Sequence, residues 1–262
     1  MQQALRCALW SFCALSVLAG SRVRAQQDAE PVRRGSAADA AAQGMLLPEV
    51  IAPGGGRSHA VADVIGGYDS AENTAVLRAI GDVQVIGPLD LRFGVTYTPD
   101  APNGDVQPHF GLRVRALNQK SHGIDMALAV FYRMERFTDD EGLIQGLVSL
   151  GARFDRVGVF GHMSYGQDPE GDDREGDVAV AGLYGLSEPL QLGLETHVRF
   201  DLFSDDPKRE ARDDSEWDLI VGPTVNYSFG PVTLIGQVGF RALETDQVHP
   251  GVIALGGVGG SY

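Results

Sequence analysis

The sequence predicts an all-β protein, an antiparallel up-and-down transmembrane β-barrel of twelve strands that occupies residues 58–262 of a 262-residue chain. Three observations predict it. Apolar and polar residues alternate over segments close to a dozen residues long, as in strands that separate lipid from a polar interior. The connections between those segments alternate between short turns built on Gly or Pro and longer acidic loops. No apolar run downstream of residue 25 approaches the roughly 20 residues that a spanning helix requires. The alternation is plainest at 189–203, PLQLGLETHVRFDLF. There Leu190, Leu192, Leu194, Val198, Phe200 and Leu202 share one parity, and Gln191, Glu195, His197, Arg199 and Asp201 the other.

The chain opens with Arg6, the apolar run 8–18 and the tripeptide Val23-Arg24-Ala25, the parts of a secretory signal in which Arg24 is the one misfit. Residues 1–25 are therefore expected to be removed on export. Both cysteines, Cys7 and Cys13, lie there, so the exported chain has no thiol for a disulfide or a Cys-ligated metal. Ser21, not Cys, follows Leu18-Ala19-Gly20, which argues against a lipid anchor. The leader holds three of the 21 basic residues and none of the 35 acidic ones, so its loss takes the formal charge from −14 to −17. That excess of acid excludes nucleic acid as a partner, because phosphate contacts need basic patches. Residues 26–57 carry much Ala, Gly and Pro and the breaker run Pro53-Gly54-Gly55-Gly56, and read as a flexible periplasmic extension. Its apolar patch at 45–51 offers an alternative, to plug a lumen or dock on a partner.

From residue 58 the strands fall at 58–68, 75–86, 89–98, 107–117, 122–135, 143–155, 157–167, 177–187, 189–203, 217–229, 231–243 and 250–262. Gly87-Pro88, 118–121, Asp155-Arg156, Glu188-Pro189 and Gly230-Pro231 are short connections. Those at 69–74, 99–106, 136–142, 168–176, 204–216 and 244–249 are longer. Strict alternation of this kind gives a barrel two unlike rims, and the even count puts both termini at the short-turn rim. Parity agrees in the other strands. Leu89, Leu91, Phe93, Val95 and Tyr97 oppose Asp90, Arg92 and Thr96; Phe110, Leu112 and Val114 oppose His109, Arg113 and Arg115; Met126, Leu128, Val130 and Tyr132 oppose Asp125 and Arg133. The oily row is assigned to lipid. Tyr68, Tyr97, Tyr184, Trp217, Tyr227 and Phe229 fall near strand ends, where amphipathic rings favour the membrane interface.

The last strand ends on Tyr262 after alternating Val252, Ala254 and Val258. With it, the chain resembles bacterial outer-membrane β-barrel proteins as a class, over about 200 residues. The resemblance implies the outer membrane of a Gram-negative bacterium, with lipid and lipopolysaccharide as surroundings. It also implies that the C-terminal aromatic strand is read by the barrel-assembly machinery. Two features fit less well. Pro223 lies inside a strand and is expected to force a bulge. The first strand has small lipid-facing residues, Ala60, Ala62 and Gly66, and its loss would leave ten strands. The rival fold is a soluble secreted β-sandwich, which also alternates but with strands of about 5 to 6 residues.

The polar parity supplies the candidate pore lining: Arg92, Arg113, Arg115, Asp125, Arg133, Arg153, Glu195, His197, Arg199, Asp201 and Arg241, with Arg78, Asp82, Asp90 and Asp155 on the same face. Opposite charges in a low-dielectric wall should pair. Segregated onto two walls they would favour a small ionic solute; interleaved they would fill the interior. Twelve strands lie between packed barrels of about eight and open ones of about sixteen, so size alone does not decide.

An enzymatic pattern is present in Gly161-His162-Met163-Ser164-Tyr165-Gly166, which resembles the His-x-Ser motif of outer-membrane phospholipase A and the lipid A deacylase barrels. That resemblance implies His162 as general base, Ser164 as nucleophile, and Glu175 or Asp177 in place of the acid or amide that orients the histidine. Tyr165 stands where those families carry Asn, the two acids fall in the 168–176 loop or at its edge, and parity turns the pair toward the lumen. Glu195, His197 and Arg199 are about 7 Å apart along one strand, so a metal site would need ligands from neighbouring strands such as His109 or His162. No metal site and no cofactor is predicted. The acidic loops, with Asp168, Glu170, Asp172, Asp173, Glu175 and Asp177 around Arg174, lack calcium-loop spacing and read as a solvated rim. The function predicted is that of a monomeric outer-membrane barrel, either a narrow porin-like channel or a structural and binding barrel. The alternative is an outer-membrane acyl hydrolase.

Overall fold

The computed structural model describes residues 60–70, 74–98, 105–117, 119–134, 142–169, 173–187, 189–204, 217–229, 232–243 and 250–261. Residues 1–25, read from sequence as a leader, the 26–57 segment read as an extension, most of the long loops and Tyr262 lie outside the described residues. Twelve strands form: β1 (Ala60–Asp69), β2 (Thr74–Ile86), β3 (Leu89–Thr98), β4 (Asp105–Leu117), β5 (Asp125–Met134), β6 (Gly142–Phe154), β7 (Val157–Gln167), β8 (Asp173–Gly185), β9 (Leu190–Ser204), β10 (Trp217–Phe229), β11 (Val232–Leu243) and β12 (Gly251–Ser261). A single helical turn, α1 (Gln119–His122), links β4 to β5.

Every strand pairs antiparallel with its sequence neighbours, and β1 pairs with β12 from Val61↔Ser261 to Asp69↔Ile253, closing the sheet. The β-sandwich is thereby overturned. The ten-strand fallback falls too, because the small residues of β1 still form the closing ladder. Closure leaves no strand edge, which is what lets a sheet satisfy its backbone groups in hydrocarbon. A strand of a dozen residues is about 40 Å long and, tilted by about 40°, rises roughly 30 Å, enough to cross an apolar layer.

Parity sets which side chains go where. Phe93, Phe110, Leu112, Val130 and Met163 are 50 to 58% exposed on the outer face, while Arg92 and Arg113 on the opposite parity are 2% and 3% exposed. A folded chain in water would bury the first set and expose the second. On these strands the order is reversed, although an apolar cluster of Ile65, Val76, Phe160, Leu183, Ile220, Ile235, Ile253 and Leu255 is also buried inside, and the outer face suits hydrocarbon as solvent.

The turns show local reasons for their form. Gly87 (φ 54°) and Asp155 (φ 52°) take left-handed backbone in the β2–β3 and β6–β7 hairpins, a conformation that Gly adopts freely and Asp tolerates. Two expectations need correction. Pro223 causes no bulge: the β10–β11 register is the same at Val221↔Phe240 and Thr224↔Gln237, and β10–β9 runs through Pro223↔Leu194 unbroken. The β11 ladder skips Gly222 and Pro223, which has no N–H to give, without displacing the strand, and Gly222 has no Cβ to meet the Val238 carbonyl oxygen, which would lie 2.1 Å from it. The second correction concerns β8, which starts at Asp173 and not at 177. Acidic residues looked like loop, but arginines on the barrel interior neutralise Glu175 and allow the strand to extend.

Candidate functional site

The interior wall formed by β2, β3 and β4 is a connected set of ion pairs. Asp82 stands directly opposite Arg92 in the ladder and takes both prongs of its guanidinium, Nε at 2.8 Å and NH2 at 3.0 Å. Arg113 stands opposite Asp90 yet donates to Asp82 at 2.8 Å, and Arg115 donates to Asp90 at 2.7 Å. Each carboxylate is thus reached from the neighbouring strand, as buried charges require. Two further sets reach across strands. Arg133 on β5 and Arg199 on β9 hold Glu175 on β8 at 3.1 and 2.8 Å, so the Arg133 pair passes over β6 and β7. Arg241 on β11 holds Asp218 on β10 and, past β12, Asp69 on β1. The charges are interleaved, not segregated onto opposite walls.

The β7–β9 wall is chemically different. His162, Ala179 and His197 are consecutive ladder partners, and Ser164 stands opposite Asp177. The small Ala179, 1% exposed, leaves the two imidazoles facing each other with centroids 6.3 Å apart. Asp177 lies against both: its Oδ1 is 2.8 Å from His162 Nε2 and 3.7 Å from His197 Nε2. Its Oδ2 accepts a hydrogen bond from Ser164 Oγ, and Gln145 Nε2 donates to Ser164 Oγ at 2.6 Å. His197 Nε2 and His162 Nδ1 are buried without a hydrogen-bond partner. A small, open pocket adjoins this wall, bounded by Arg78, His109, Arg133, Gln145, His162 and Asp177 among others. These residues sit in the half of each strand nearer the long loops.

The positions named from sequence separate into three groups. Arg92, Arg113, Arg115, Arg133, Arg199, Arg241, Glu195 and His197 lie on the interior face, most of them buried. Asp125 and Arg153 share that parity but sit at the short-turn mouth. Asp125 accepts from the Gln119 amide at 2.8 Å, and Arg153 is exposed with its guanidinium 5.5 Å from the Phe160 ring centroid. Asp201 is in β9, with its side chain outside the described residues.

The His-x-Ser pair is not arranged as a relay. The acid beside His162 is Asp177, whereas Glu175 is held by Arg133 and Arg199. His162 and Ser164 both bond the same carboxylate, so the imidazole does not stand between acid and hydroxyl as a general base must. Gln145 and Asp218 were missed from sequence. Gln145 is flanked by the inward-facing Leu143 and Leu147, which blur the parity of β6, and Asp218 is the second residue of its strand.

No protein-family model and no curated protein matches the sequence. Solved structures do match in fold. The NanC porin superposes with a TM-score of 0.56 at 12% identity, covering 77% of this chain and 100% of its own. The KdgM porin in complex with disordered oligogalacturonate gives 0.53 at 8% identity over 77% of this chain and 99% of its own. An outer-membrane channel from Pseudomonas putida F1 gives 0.52 at 12% identity over 80% and 97%. The chain therefore has the fold of the bacterial outer-membrane β-barrel proteins, in its twelve-stranded, porin-like form.

Proposed function

We propose that the protein is a monomeric outer-membrane barrel that gives small polar or ionic solutes a narrow route through an interior lined by arginine–carboxylate pairs. The observation that carries this reading is the inversion of a closed barrel: hydrocarbon-compatible residues outside, and inside a face of buried ion pairs beside a small, open pocket. Narrowness follows from the pairs that cross between non-adjacent strands, Arg133–Glu175 and Arg241–Asp69. Interleaved charge leaves little net field across the opening, so discrimination between anions and cations should be weak. The leader at 1–25 delivers the chain, the strand ending at Tyr262 engages the assembly machinery, and lipopolysaccharide surrounds the long-loop rim.

Single-channel recording in planar bilayers tests the proposal. Discrete openings of small, reproducible conductance are expected, larger in a double variant Arg133→Ala, Glu175→Gln that removes the crossing pair. A barrel that stays silent in both forms rules out a conduit and leaves a structural role at the envelope. The acyl-hydrolase reading has less support, because His162 and Ser164 face the interior and share one carboxylate.

A further inference from the structure

We infer that His162, Asp177 and His197 form a binding site for a divalent first-row transition ion, zinc being the natural probe. One ligand atom from each lies within 4.8 Å of the others, and all three residues are buried. A tetrahedral ion with ligands at about 2.0–2.2 Å sets those atoms about 3.3–3.6 Å apart. Closing the present spread takes about an ångström, within reach of imidazole rotation. The donor set of two imidazoles and one carboxylate is the chemistry that such ions select.

A second, independent observation points the same way. His197 is 2% exposed, and its Nε2, aimed at Asp177 Oδ1, makes no hydrogen bond. Burying an imidazole nitrogen with nothing to bond is costly, and a metal ion in the gap removes the cost. The surroundings are built to hold the ligands. Ser164 and Gln145 fix the outer oxygen of Asp177, leaving Oδ1 turned to the imidazoles, the role of an outer-shell partner at a metal centre. Ala179 keeps the space between the rings empty of side chain. The pocket, bounded by His162, Ser164 and Asp177, supplies the open side from which water or a solute carboxylate could complete the coordination. The inference rests on the register of β7, β8 and β9, not on conduction, and a silent barrel could still hold the ion.

The test is metal uptake by the untagged full-length protein in detergent, stripped with chelator and dialysed against zinc chloride. About one tightly held zinc per chain is expected, and the cobalt(II) form should show the strong visible bands of a tetrahedral site. His162→Ala combined with His197→Ala should weaken zinc binding by more than about 100-fold, and Ser164→Ala by about tenfold, the range seen for outer-shell partners. Ala179→Leu, which keeps all three ligands but fills the gap, should abolish uptake, while His122→Ala at the short-turn rim changes nothing. Absence of stoichiometric uptake by the unaltered protein, or unchanged uptake in the double-histidine variant, overturns the site. Should the double variant not fold, Ala179→Leu and the cobalt spectrum of the unaltered protein decide it.

Discussion

The two interior walls of the barrel solve the same problem in opposite ways. On β2–β4, five charged groups lock each other: Asp82 takes Arg92 in a fork and Arg113 on its second oxygen, and Arg115 takes Asp90. On β7–β9, one carboxylate serves two imidazoles and a hydroxyl, and two ring nitrogens are left over. In the first arrangement each carboxylate is met by at least one guanidinium. The second is incomplete by construction, and incompleteness of that kind is where binding chemistry is found.

Breaking the complete wall should have the largest effect. Asp82→Ala removes the buried carboxylate that Arg92 and Arg113 share, and removal of one partner of a buried pair costs about 3–5 kcal/mol. Urea titration of the protein refolded into liposomes without residues 1–25 measures it, with Trp217 as the reporter. A loss below about 1 kcal/mol would mean that water reaches the pairs freely and that the interior is wide.

Asp177→Ala, on the incomplete wall, should cost less, about 1–3 kcal/mol, because it strands a hydroxyl and imidazoles that can remain neutral, not fixed charges. The same titration compares the two variants side by side. Equal losses would contradict the distinction between the walls and point to a β7–β9 set as tightly ion-paired as β2–β4.

That contrast also marks how far the sequence could be read. Orientation was legible in strands such as β3, β4, β5 and β9 because one face is set by hydrocarbon, and a side chain such as Phe110 or Val130 has to obey it regardless of its neighbours. Pairing inside the barrel was not. His162, Asp177 and His197 lie on three strands, and only the register of β8 brings them together. The run of acids also concealed the strand start at Asp173, because Glu175 needs Arg133, 42 residues away, to enter a sheet. Inward-facing parity was weakest where the lining is apolar, as at Leu143, Ile253 and Leu255, since alternation then has nothing to alternate with.

The smallest effect should come from Ser164→Ala. Its hydroxyl accepts from Gln145 and donates to Asp177, so the variant loses two neutral or singly charge-assisted hydrogen bonds and should cost about 0.5–1.5 kcal/mol in the same titration. Because the substitution touches neither imidazole, it separates orientation of the Asp177 carboxylate from the ligands themselves. It also bears on acyl transfer. If Ser164 were a nucleophile, turnover of phospholipid or lipopolysaccharide acyl chains by the purified protein would vanish in this variant. With the hydroxyl committed to Asp177 inside the barrel, turnover by the unaltered protein and by Ser164→Ala should be the same, and a difference between them would return the β7–β9 wall to catalysis.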